Sequence, residues 1–142
     1  MRTLDEKQKY GLKVIGSMMG EGFAEKLKAG AEGDAFGSDI SRMALNFAFA
    51  DGWGHTGIDR KSKSIAIISA LIAMKQTKEM KNHIKVGLAN GLTAKDIEAL
   101  MVQLTPYVGF PCISSALTGA IEALREAGLD LNVKTPEEKG ML

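Results

Sequence analysis

A chain of 142 residues can bury a real core in one domain, and 45% apolar with 25% charged residues is the mix of a globular protein, not a disordered one. Lys and Arg number 18 against 17 Asp and Glu, so no global field draws nucleic acid or an anionic membrane, and neither is expected as a partner. Cys112, the only cysteine, excludes an intrachain disulfide. The charged start MRTLDEKQKY lacks the apolar stretch of a secretory signal, and the longest apolar run, Ile65 to Met74, is too short for a bilayer. These features point to the cytoplasm.

Taken in chain order, the spacing of apolar residues predicts helices throughout. Leu4, Leu12, Ile15 and Met19 recur at helical spacing behind Thr3, a candidate N-cap, and the acidic pair Asp5-Glu6. A Gly-rich stretch from Gly16 to Gly37 holds a short helix around Phe23 to Ala29. Ser38 is placed to cap a helix running to about Asp51. Gly52, Gly54 and Gly57 then break the pattern around Trp53 and His55, which puts these two in a turn or at a helix end.

Asp59 is placed to cap a helix that contains the Ile65 to Met74 run, and a run of that length without polar alternation predicts burial on most sides. Thr77 is the expected cap of a helix ending near Asn90-Gly91. Thr93 to Asp96 has capping-box spacing, and Ile97, Leu100, Met101, Leu104 and Val108 follow as one apolar face. Pro111 suits a first helical turn, and Leu117, Ile121 and Leu124 carry a last helix to Gly128. No segment predicts a strand. The expectation is therefore an all-α single domain over residues 1–142, with a core of about 4–128 and a loose tail from about Asp130.

Only two histidines, His55 and His83, are available for proton transfer near neutral pH. His83 follows Glu79 by four residues, which puts both on one helix face, where the carboxylate can orient the imidazole. The same spacing also suits a solvated glutamate beside an ordinary surface or core histidine. Arg60-Lys61-Ser62-Lys63 places positive charge in a first turn that is already positive, a cost of about 0.3–1 kcal/mol per charge. That cluster suits an anionic ligand such as a carboxylate. It equally suits long side chains pointing into water beside Asp59. Trp53 can wall a pocket or anchor a core. Cys112 follows Pro111 at a helix start, where a thiolate is favoured, yet such a cysteine is more often a small core residue. No group of residues has metal-ligand spacing, and neither a P-loop nor a dinucleotide fingerprint is present, so no metal or cofactor is expected.

Several stretches in order resemble the carboxymuconolactone decarboxylase family: Gln8 to Val14, Trp53-Gly54, Ile58 to Ser64, Glu79 to His83 with Gly87 to Thr93, and then Gln103, Tyr107, Gly109, Phe110 and Pro111. The resemblance covers about Glu6 to Ala127. It implies an alkyl hydroperoxidase D-like bundle of about six to seven helices, assembled as a homo-oligomer, a trimer or a six-subunit ring. It also implies a cofactor-independent decarboxylase of a carboxymuconolactone-type acid, active in breakdown of aromatic compounds, with a small carboxylate or lactone as substrate. His83 would be the proton donor or dienolate partner, with Glu79 orienting it. Arg60 would hold a carboxylate, and Trp53, Tyr107 and His55 would line the substrate site. The Cys-x-x-Cys pair of redox relatives is missing, and the glutamate that they use corresponds to Ser64, which disfavours a thiol peroxidase. Lys63 stands where the decarboxylases often carry Arg. Two other readings stay open: a same-fold enzyme acting on another unsaturated acid or lactone, and a non-catalytic oligomeric binding protein.

Overall fold

Two helices of this chain start at a short polar side chain, Asp5 and Thr93, that satisfies free backbone N–H groups of the first turn. In the computed structural model, which describes residues 2–129 and 131–141, Asp5 rather than Thr3 caps the first helix. Its carboxylate accepts from the Gln8 N–H at 2.8 Å, and the Gln8 side chain accepts from the Asp5 N–H in return. The described residues are all-helical. They form α1 (Glu6–Met19), α2 (Glu21–Glu32), α3 (Ser38–Met43), a π-helix (Ala44–Trp53), α4 (Arg60–Ala73), α5 (Thr77–Ala89), α6 (Ala94–Val108) and α7 (Phe110–Glu126). None is long and apolar enough to cross a membrane.

Backbone contacts gather the chain into two compact units, Met1–Arg60 and Lys61–Leu142. In the first, α1 lies against the π-helix and α2. Gly11 makes that approach possible. A Cβ there would stand 2.2 Å from the Leu45 carbonyl oxygen, so every larger residue is excluded. Leu4, Ala31 and Leu45 form the buried centre, with Leu12, Leu27 and Phe49 packed on it. The Arg42 guanidinium donates to the Ala31 and Gly33 carbonyls and so closes the C-terminus of α2. The sequence predicts one helix from Ser38 to about Asp51. Instead the chain switches at Ala44 to the wider π winding, and Gly37, in the left-handed region, precedes α3.

The second unit has the larger core. Ile68 and Ile72 of α4 meet Met80 and Ile84 of α5, Ile97 and Met101 of α6, and Ala116, Ala120, Ala123 and Leu124 of α7. Only that face of α4 is buried. Ile65, Ile67 and Met74 are exposed, so the predicted burial on most sides does not hold. The helix carries aliphatic residues on its buried and its exposed face alike. Thr93 caps α6 as expected, in a capping box with Asp96. Thr77 is the first residue of α5 and Gln76 its cap position. Beyond α7, where the sequence suggests a loose tail, Arg125 donates to both carboxylate oxygens of Glu138 at 2.7 and 2.9 Å. That hydrogen bonding holds the Glu138 carboxyl at about 2. Thr135 is buried and exchanges hydrogen bonds with Glu138.

Candidate active site

A histidine shows its chemistry through burial and neighbouring charge. His83 sits mid-helix on α5, half-buried, with its Nδ1 atom fully enclosed. Burial pushes its pKa below the ordinary histidine value, and the Glu79 charge works against that push. Glu79 is exposed, one turn earlier, and accepts a long 3.5 Å hydrogen bond from the Asn82 amide. The two residues therefore share the predicted face, and Glu79 acts on the imidazole through its charge. An imidazole so placed is largely neutral at pH 7 and can offer an N–H to a developing oxyanion.

The other predicted residues divide between the two units. Trp53, His55 and Arg60 belong to the first; Tyr107 belongs to the second, with His83 and Glu79. Trp53 is buried at the end of the π-helix. His55 is exposed in the following loop, and its Nδ1 accepts from the Gly57 N–H at 2.9 Å. Arg60 opens α4 and donates from Nη2 to the Ser17 hydroxyl at 2.8 Å, which orients the guanidinium. Ser17 is a partner that spacing along the chain does not reveal, since 43 residues separate the two. Lys61 pairs with Asp96 at 3.7 Å, both well exposed. Tyr107 is 80% exposed near the end of α6.

A cavity of about 260 Å³ in the second unit is lined by Lys75, Thr77, Met80 and Cys112, among others, and His83 is not part of that lining. Among the described residues, no three His, Cys, Asp or Glu are grouped to hold a metal ion.

Sequence comparison completes this description. Residues 38–123 match the model of the carboxymuconolactone decarboxylase family. The chain belongs to that family. It is 24% identical over 125 residues to a 4-carboxymuconolactone decarboxylase of Acinetobacter baylyi, covering 88% of this chain and 92% of the relative. It is 26% identical over 117 residues to a nitrosuccinic acid decarboxylase of Metarhizium robertsii, covering 82% and 78%. These two named decarboxylases support a decarboxylase-family function. The matched span contains α3 to most of α7 and so includes Trp53, Arg60, Glu79, His83 and Tyr107.

Proposed function

We propose that the protein is a cofactor-independent carboxy-lyase acting on a carboxymuconolactone-type unsaturated lactone acid. The observation that carries this reading is His83, half-buried and with its pKa pushed down, one turn after Glu79 in a chain of this family. In the reaction the bond to the carboxylate breaks and carbon dioxide leaves. The electron pair passes through the conjugated double bond to the lactone carbonyl, and a proton is then delivered to carbon. The His83 imidazole supplies the hydrogen bond to the developing dienolate oxygen or the proton. Glu79 adjusts its basicity through charge. Arg60, aimed by Ser17, holds the carboxylate, while Trp53, His55 and Tyr107 shape the substrate site.

The relative named for nitrosuccinic acid supports a second reading, the same chemistry on another activated acid, because a nitro group is also an electron sink. A homo-oligomer belongs to the proposal as well. Phe36 in the turn before α3, Ile40 and Met43 of α3 and Phe47 of the π-helix are all exposed, and such apolar surface favours association. Light scattering of the purified protein tests that part.

The test of activity is carbon dioxide release from 4-carboxymuconolactone by wild type and His83→Ala. Turnover lost by about a hundredfold or more in a folded variant is the expected result. Turnover at the wild-type rate in His83→Ala would refute the mechanism. A folded wild type that releases no carbon dioxide from this or a nitro acid would favour a binding protein.

A further inference from the structure

Ser64 is the only polar side chain among the six largest fully buried ones, with no exposed surface. It stands on the same α4 face as Ile68 and Ile72, both of the apolar core. Its hydroxyl oxygen accepts a 3.0 Å hydrogen bond from the amide of Asn90, the residue that ends α5. Between them lies Gly87. A Cβ at Gly87 would stand 3.6 Å from the Ser64 Cβ, 3.3 Å from Ile68 Cδ1 and 2.8 Å from Leu92 Cδ1. The two helices thus meet closely there, and the missing side chain permits it.

His83, Gly87 and Asn90 follow one another at positions i, i+4 and i+7, so they form one stripe along α5. Ser64 touches that stripe at its Gly87–Asn90 end, about one helical turn, ~5–6 Å, beyond His83. Ser64 also directly follows Lys63 and lies one turn after Arg60 on α4. Ile68 and Ile72 of α4 share the aliphatic core cluster with Met80 and Ile84 of α5. Aliphatic surfaces fix an alignment through shape alone, whereas a polar pair adds a hydrogen bond that is satisfied in only one alignment.

We propose that Ser64 and Asn90 are a positioning pair: their part-buried hydrogen bond fixes the register of α5 on α4 and thereby the place of His83 relative to Lys61 and Lys63 in the first turn of α4. The inference rests on the proposed function, with His83 as the proton-transfer group. Neither Ser64 nor Asn90 touches the reacting atoms.

The experiment combines kinetics with histidine NMR on the full-length protein. The chain has two histidines, and His55→Gln identifies the His83 signals. Ser64→Ala and Asn90→Leu are each expected to move the His83 ring signals and leave those of His55 in place. With a substrate that the wild type turns over, each variant loses about tenfold to a hundredfold in kcat, the scale of a small misplacement. KM stays within about twofold, and the double variant is no worse than either single one. A pair that serves stability alone would lower the melting temperature and leave both the His83 signals and kcat at wild-type values, which overturns the proposal. Losses that add in the double variant would overturn it too. If Ser64→Ala does not fold, Ser64→Cys, nearly equal in volume and a poor acceptor, takes its place. Should the wild type act on none of the acids offered, the catalytic reading fails by itself, and the NMR signals still decide whether the pair sets the place of His83.

Discussion

The two compact units are held together by different means. Among the described residues the second buries twelve apolar side chains, eleven of them joined in one cluster from four helices and the loop at Leu92. The first buries nine, of which only Leu4, Ala31 and Leu45 join in the cluster at its centre, beside a glycine contact and a guanidinium over the end of α2. Where one large cluster joins four helices, stability is spread over many contacts. Where the central cluster is small, single positions matter more.

The largest effects break one unit at its centre. Leu45→Ala and Ile84→Ala each remove a side chain with no exposed surface, and each is expected to cost about 2–5 kcal/mol in chemical denaturation. Trp53, the only tryptophan, is buried in the first unit, so its fluorescence should register Leu45→Ala directly. Gly11→Ala forces a Cβ against the Leu45 carbonyl and is expected to cost about 1–3 kcal/mol or more, with the same probe. A cost near zero would show that the first unit yields where the contact predicts it cannot.

A third effect belongs to the second unit and depends on pH. Because burial lowers the His83 pKa, the unfolded chain binds the proton more readily than the folded one below the ordinary value of 6.5. Stability therefore falls as pH drops from 6.5 through the folded-state pKa. His83→Gln should lose less on going from pH 7.5 to 5 than wild type does, as read from melting temperatures. A smaller effect compares the caps. Asp5→Ala in the first unit and Thr93→Ala in the second are each expected to cost about 1 kcal/mol. If Asp5→Ala costs clearly more, the smaller core leans harder on its helix ends.

Much of the fold is legible in the sequence because its signals are local. Thr93 and Asp96, Asn90 and Gly91, and Pro111 sit three or fewer residues from the backbone groups that they serve, and each is where it is expected. Glu79 and His83 are legible for the same reason. The caps expected at Thr3, Ser38 and Thr77 miss by one or two residues, and the larger failures depend on distant partners. Nothing in Ile65 to Met74 tells which aliphatic residues face the core, and Ile65, Ile67 and Met74 turn out exposed. The hydrogen bonds from Arg60 to Ser17 and from Asn90 to Ser64 close over 43 and 26 residues. The π winding of Ala44–Trp53 has no composition signal of its own, since Leu, Phe and Ala suit either helix.

Each unit is one uninterrupted stretch of chain, and this has a consequence for synthesis. Every contact inside Met1–Arg60 joins residues translated before Lys61–Leu142, a lag of roughly 4–16 s. The nascent chain would then present Phe36, Ile40, Met43 and Phe47 to solvent before the second unit is made. For that interval those exposed apolar side chains are open to association with a neighbouring nascent chain.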